Sequence, residues 1–186
     1  MPICAILAAK GRIESRIIAL IIGVLYIIVS YHAQLYGEIA VTLVIFFPIK
    51  IYGLVNWLKN RKKTKGEIEI LKTSGREILI VLVTHLVVGI GLYFLLGFFN
   101  TAFLLVSTIA AAINAMATWF LSRRSILAFP TYIILDFLQL TLWLLVFLGG
   151  DSGVMVLVAT MAMFVIIDVY GMLTWFKMRK AQEANA

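Results

Sequence analysis

Six long apolar segments alternate with short polar connections along the chain. The segments cover residues 16–33, 38–58, 77–97, 101–121, 126–148 and 153–177. An α-helix needs roughly 20 apolar residues to cross about 30 Å of hydrocarbon, so each segment is long enough to span a lipid bilayer. Residues 1–9 are also apolar but are too few to span it. The pattern predicts an all-α membrane protein with six full transmembrane helices.

The basic residues indicate the orientation of these helices. If the six helices alternate in direction, every Lys and Arg except Lys50 emerges on one face, whereas the other face carries His32, Glu38 and Asp151. Cytoplasmic connections are enriched in Lys and Arg, so we expect the basic face and the tail 178–186 to be cytoplasmic. The basic residues assigned to this face are Lys10, Arg12, Arg16, those within 59–76, Arg123, Arg124, Lys177, Arg179 and Lys180.

Composition narrows the possible functions. Hydrophobic residues make up 63% of the 186 residues and the mean hydropathy is +1.05, which excludes a water-soluble domain. The formal net charge of +7 lies in the connections between apolar segments, so no nucleic-acid partner is predicted. Cys4 is the only cysteine, which excludes an internal disulfide and a zinc site of paired thiolates. The sequence also lacks a GxxxxGK[ST] phosphate loop. It therefore predicts neither a cofactor, a metal nor a catalytic site.

The second and sixth helices end in similar sequences, which indicates an internal repeat. YGLVNW at residues 52–57 recurs as YGMLTW at residues 170–175, an offset of 118 residues. Chance is an alternative, because Tyr and Trp favour membrane interfaces. Two parallel three-helix repeats joined by one inverting helix explain both copies and are known in transporters. The predicted division is a first repeat at 1–58, a cytoplasmic loop and linker helix at 59–100, a second repeat at 101–177, and a tail at 178–186.

Several stretches resemble the PnuC family of vitamin and nucleoside transporters. They are AAKGRIES, LYGE, FFPIKIYGLVNW, STIAAAINAMATWFLSRR and the helix around Asp136, and together they cover nearly the whole chain. The resemblance implies a three-plus-one-plus-three bundle, related to the SWEET sugar transporters, in which residues 1–9 are the remnant of a largely missing first helix. It implies facilitated diffusion across the bacterial inner membrane, one-way uptake through capture by a cytoplasmic kinase, and a possible homotrimer.

The same resemblance implies which residues bind substrate. Riboside carriers of the family have W-x-x-W-x-x-x-N/D in the sixth helix of their template, where this chain has Phe129, Tyr132 and Asp136. A glutamine of the family corresponds to Lys50, and an asparagine corresponds to Thr42. These differences leave nicotinamide riboside and related vitamins or deoxynucleosides as the candidate substrates.

Helical spacing independently groups several of these residues. One helix face carries residues that are three or four positions apart, namely Phe129, Tyr132, Asp136, Gln139 and Trp143. Aromatic rings can stack on a planar heterocycle while the acid and the amide hydrogen-bond to ribose or ring nitrogens. The alternative is ordinary helix packing. Asn114, Thr118 and Thr42 are predicted as further polar lining, with interhelical hydrogen bonds as the alternative for the first two.

Lys50 and Asp168 are also 118 residues apart, so they are equivalent positions in the two repeats. Each charge would cost roughly 2.5 to 3.5 kcal/mol near the centre of a lipid-facing helix, so both are expected to turn inward. The sequence predicts that they form an intramembrane ion pair, either as a fixed packing contact or as a gate that breaks during transport.

The leading hypothesis is a transporter that exposes a central site alternately to the two sides of the membrane. Proton-coupled vitamin uptake through Asp136 is a second hypothesis. A truncated paralogue that acts as a membrane scaffold without transporting anything is a third.

Overall fold

The computed structural model describes residues 2–32, 34–60, 68–101, 104–150 and 152–184. These residues form seven principal helices and a short 3₁₀ turn, and six of the helices are long and apolar enough to cross a membrane, as predicted. The helices are α1 (Pro2–Ala9), α2 (Glu14–His32), α3 (Tyr36–Lys59), α4 (Gly75–Phe98), α5 (Leu104–Ser122), α6 (Ala128–Leu148) and α7 (Met155–Ala184).

Helix α3 contains a π-helical turn at Thr42–Phe46. Pro48 comes after this turn and has no backbone N–H, so it cannot bond to the carbonyl four residues before it. The N–H of Phe47 instead bonds to the carbonyl of Thr42, five residues back. A π-turn adds one residue to a helical turn, so it rotates the first part of the helix relative to the second part.

The turns that join α1 to α2 and α5 to α6 have the same backbone geometry. Gly11 and Arg124 both have left-handed φ, of 65° and 60°. The N–H of Gly11 donates to the Ala8 carbonyl at 2.9 Å, and the N–H of Arg124 donates to the Leu121 carbonyl at 3.1 Å. The two turns are 113 residues apart. This match supports a first half, α1 to α3, and an equivalent second half, α5 to α7.

The two YG-x-x-x-W segments lie at the same end of the bundle. The rings of Trp57 and Trp175 are fully buried and pack with their centroids 6.2 Å apart. The Trp57 indole donates to the Leu121 carbonyl at 2.9 Å, and the Trp175 indole donates to the Ala8 carbonyl at 3.2 Å. The last helix of each half therefore packs against the first helix of the other. We call this end, where the basic connections meet, the basic end.

Glycines 53 and 171 allow these helices to approach closely. A Cβ atom on Gly53 would lie 2.4 Å from the Ser122 hydroxyl, and one on Gly171 would lie 2.4 Å from the Phe129 ring. Helix α4 packs against α5 and α3 and leaves most of its surface facing outward. It therefore links the two halves from outside, which fits the predicted linker helix.

Part of the loop between α3 and α4 packs against the helices. Residues 61–67 lie outside the described residues, but Ile68 and Ile70 are buried. Leu71 exchanges backbone hydrogen bonds with the α5–α6 turn, at 2.9 and 3.0 Å. The Gln182 side chain bonds to the carbonyl of Ile68 and the N–H of Ile70 at 3.1 and 3.0 Å. Apolar side chains at alternate positions thus hold residues 68–74, the strap, against the basic end.

Candidate functional site

A cavity of about 330 Å³ lies between the two halves. It receives side chains from every principal helix except the linker α4. Six of the predicted binding residues line it, on α5 and α6, and both members of the predicted ion pair line it as well. The lining includes Asn114, Thr118, Phe129, Tyr132, Asp136, Gln139, Lys50, Asp168, Arg16, Cys4, Met161 and Phe164.

The carboxyl group of Asp136 has an unused hydrogen-bonding atom. Asp136 is only 6% exposed, and its Oδ2 is buried with no hydrogen-bond partner among the described residues. Asp168, also 6% exposed, lies close enough on α7 to interact with Asp136 directly. A buried carboxylate oxygen without a partner costs free energy, and a bound hydroxyl, amide or cation would offset that cost.

A chain of polar contacts joins α5 to α6 on the cavity wall. The Tyr132 hydroxyl and the Thr118 hydroxyl are 3.0 Å apart, and Thr118 donates to the Asn114 side-chain oxygen at 3.5 Å. These contacts fix the direction of the Tyr132 ring. The predicted alternative for Asn114 and Thr118, an interhelical hydrogen bond, is therefore present for Thr118, although both residues also line the cavity.

Phe129 has two roles at the base of the cavity. Its ring packs edge-to-face on Trp175, with centroids 5.1 Å apart, and fills the space that Gly171 leaves open. It is 2% exposed and contributes to the cavity wall. The Phe129 side chain therefore packs between helices, which was one predicted role, and also lines the cavity, which was the other.

Arg16 is a cavity residue that the sequence analysis assigned to the basic face instead. It is 4% exposed, and its guanidinium lies 4.8 Å from the centroid of the Trp57 ring. Its Nε donates to the Ser15 hydroxyl at 3.4 Å. The turn offset of 113 residues makes Arg16 the counterpart of Phe129, and each packs against the repeated tryptophan of its own half. Applying that offset to the predicted site would have identified Arg16 from the sequence.

The predicted ion pair between Lys50 and Asp168 is not present in this structure. Ion pairs among the described residues join Arg123 to Glu77, Arg124 to Glu69 and Arg179 to Glu183. Lys50 instead extends toward the first half, with its Nζ 5.9 Å from the Phe46 ring centroid. Asp168 faces Asp136 within the second half. Equivalent positions in a repeat share depth, but each side chain here turns toward its own half.

Thr42 is buried but is not among the residues that line the cavity. Thr42 is the first residue of the π-turn, and its role as polar lining stays a prediction. In the described part of the chain, no three His, Cys, Asp or Glu side chains come together as a metal site.

The chain matches a known protein family over almost its whole length. The family model for nicotinamide mononucleotide transporters matches residues 2–177. Nicotinamide riboside transporter PnuC of Neisseria mucosa is 25% identical over 183 residues, which are 96% of this chain and 69% of that protein. The crystal structure of the vitamin B3 transporter PnuC has the same fold, with a TM-score of 0.77 and 23% identity over 97% of this chain and 78% of that one. The resemblance to PnuC proteins is confirmed, and the chain belongs to the nicotinamide mononucleotide transporter family.

Proposed function

We propose that this protein transports nicotinamide riboside, or a closely related nucleoside or vitamin, by exposing its central cavity alternately to each side of the membrane. The observation that carries the proposal is the buried Asp136 oxygen in a cavity between two equivalent halves. The cavity volume of about 330 Å³ falls within the roughly 300 to 1,000 Å³ of small-molecule sites. A transporter site is expected between the repeats, where relative movement of the halves changes access.

The lining residues suggest how a nucleoside would bind. The rings of Phe129 and Tyr132 offer faces for a planar base, and Gln139 supplies both a donor and an acceptor. Asp136 can accept a hydrogen bond from a ribose hydroxyl or attract a positively charged ring. Nicotinamide riboside has both features, because its pyridinium nitrogen carries the glycosidic bond and a fixed positive charge.

The direction and energetics of transport are part of the same proposal. The basic end faces the cytoplasm, which is consistent with the distribution of Lys and Arg. The substrate moves down its gradient, and phosphorylation by a cytoplasmic kinase retains it. A homotrimer, consistent with the family resemblance, is the proposed assembly.

Uptake into liposomes tests this function. Purified protein should accelerate entry of labelled nicotinamide riboside, and Asp136→Ala should reduce the initial rate by roughly tenfold or more, as expected for losing a hydrogen bond to a charged group. Glu14→Gln is the matched control, because it removes one carboxylate at the exposed start of α2 and should transport normally. Equal rates in Asp136→Ala and wild type would remove Asp136 from the site, and uptake no faster than in empty liposomes would favour the scaffold hypothesis.

Proton-coupled uptake is a second candidate, and the contact between Asp136 and Asp168 favours it. Two adjacent carboxyl groups in a low-dielectric site can hold a proton between them. Coupling requires that an imposed pH gradient drive accumulation and that an uncoupler abolish it. Uptake that is unaffected by both treatments would leave facilitated diffusion as the mechanism.

A further inference from the structure

The two halves meet along two helix pairs that are equivalent in the repeat. Helix α3 of the first half packs against α5 of the second half, and α7 of the second half packs against α1 of the first half. We call the α3–α5 pair the first seam and the α1–α7 pair the second seam. The offset of 118 residues relates α3 to α7, and the offset of 113 residues relates α1 to α5. Each seam contains one of the two equivalent indole hydrogen bonds, which end on Leu121 and Ala8.

Side-chain hydrogen bonds cross the first seam at positions where the second seam has none. The Asn56 Nδ2 donates to the Ser122 carbonyl at 2.8 Å. The equivalent of Asn56 is Thr174, whose hydroxyl donates to a backbone carbonyl of its own helix, also at 2.8 Å. The Ser122 hydroxyl donates across the first seam to the Ile49 carbonyl at 3.1 Å. The equivalent of Ser122 is Ala9, which has no hydroxyl to donate.

Aromatic stacking also joins the helices of the first seam. The rings of Tyr52 and Trp119 stack with their centroids 5.3 Å apart and their planes 12° apart. Arg123 donates to the Tyr52 hydroxyl at 3.5 Å. The equivalent of Trp119 is Ile6, which has no ring to stack, and the equivalent of Arg123 is Lys10, which is exposed. The two seams therefore share their indole bonds but differ in the other contacts at these equivalent positions.

Opening of the cavity toward the basic end requires that helices of the two halves separate there. A polar group that loses its partner inside a membrane protein finds little water to replace it, so hydrogen bonds across a seam oppose its separation. The first seam has more of them at the equivalent positions. Cys4, Ala5 and Ala8 of α1 line the cavity, so separation of α1 from α7 would give access to it.

We infer that the first seam is a fixed pivot and that the second seam is the one that opens toward the basic end. The inference rests on the proposed transport function and goes beyond it, because rocking of two halves does not by itself specify which interface stays together. Domain movements keep some contacts packed while others separate. The repeat provides the shape of both seams, and the differences at equivalent positions make one of them the stronger.

Disulfide cross-links at equivalent positions test the inference. Asn56→Cys with Ser122→Cys would join the first seam, and Thr174→Cys with Ala9→Cys would join the second. After oxidation, uptake of labelled nicotinamide riboside into liposomes should fall about tenfold or more in the second-seam variant and recover on reduction, because a required movement is blocked. In the first-seam variant it should stay within about twofold of the rate of the reduced protein. Peptide mass spectrometry measures the fraction cross-linked, and oxidised wild type is the control for the native Cys4.

A second measurement depends neither on transport nor on cross-linking. Ala9 and Ser122 are equivalent positions, and both are fully buried. In detergent, Ala9→Cys should react with a water-soluble maleimide about tenfold faster than Ser122→Cys, because only the second seam opens to water. The reaction of wild-type Cys4 is subtracted from both rates.

Three results would overturn the inference. They are a first-seam cross-link that blocks uptake as strongly as the second-seam cross-link, a second-seam cross-link that leaves uptake unchanged, and a Ser122→Cys variant that reacts as fast as Ala9→Cys. If either pair does not cross-link, the maleimide rates decide. If wild type and the reduced variants take up no nicotinamide riboside, the proposed function is contradicted, and the maleimide rates still decide which seam opens.

Discussion

The two halves of the bundle are alike where they support the fold and different where they line the cavity. Each half has a left-handed turn residue, a glycine at a helix crossing and a buried tryptophan that bonds to the opposite half. At cavity positions the first half has Arg16 and Lys50 where the second half has Phe129 and Asp168. Symmetric residues therefore fix how the halves pack, and asymmetric residues give the cavity its charge and polarity.

The largest effect is expected at the shared helix crossings. Gly171→Ala would place a Cβ atom 2.4 Å from the Phe129 ring, which is buried and has no space to move. We expect a loss of roughly 2 to 3 kcal/mol in the free energy of unfolding, as for other overpacked sites. Thermal unfolding in detergent measures it. Gly91→Ala is the control, because nothing lies within 4 Å of its Cβ position. Equal stability of the two variants would contradict the close crossing.

The equivalent tryptophans should respond alike. Trp57→Phe and Trp175→Phe each remove one indole hydrogen bond to the opposite half and keep an aromatic ring. Each is expected to lower the free energy of unfolding by about 1 kcal/mol. Chemical denaturation of the two single variants compares them directly. A large effect in only one variant would show that the halves are not energetically equivalent at this position.

The smallest effect on stability is expected from making the cavity symmetric. Arg16→Phe places on α2 the residue that occupies the equivalent position on α6. An aromatic ring can keep the contact with Trp57, and replacing a buried charge by an apolar group is often neutral. The unfolding temperature should therefore stay near that of the wild type. Arg16→Ala, which loses the stacking contact, is the destabilised control. A marked loss of stability in Arg16→Phe would mean that the guanidinium has a structural partner.

Much of the fold can be predicted from the sequence because the length of each apolar segment is set by the thickness of the bilayer. Segment length predicts the six transmembrane helices. Because these helices alternate in direction, the second and the sixth end on the same side, which places Trp57 and Trp175 together. The faces of α5 and α6 were also predicted, because both helices are regular and helical spacing holds along them. The six proposed binding residues on these two faces line the cavity, whereas Trp143, the last member of the α6 stripe, is not among the lining residues. The remaining proposed position, Thr42, lies within a π-turn and does not.

The other features depend on tertiary contacts that spacing does not encode. Arg16 lies beside a basic connection, so the sequence predicts a surface position for it. Its guanidinium instead packs on the ring of Trp57 inside the bundle. The ion pair predicted between Lys50 and Asp168 is not formed in this structure, because depth in the membrane does not fix the direction of a side chain. The alternative, a gate that breaks during transport, stays a prediction. Ile68 and Ile70 are too few to register as an apolar segment, although they anchor the strap.

The strap has a consequence for movement of the two halves. It bonds to the α5–α6 turn through Leu71 and to α7 through Gln182. Ile68 packs beside Gly11 of the first half, where a Cβ atom on the glycine would lie 3.3 Å from the Ile68 side chain. These hydrogen bonds join the strap to the second half, so separation of the halves at the basic end would have to break its apolar packing on the first half, whereas separation at the opposite end would not. The strap would therefore move with the second half, and exposing the buried Ile68 would add a cost to opening at the basic end.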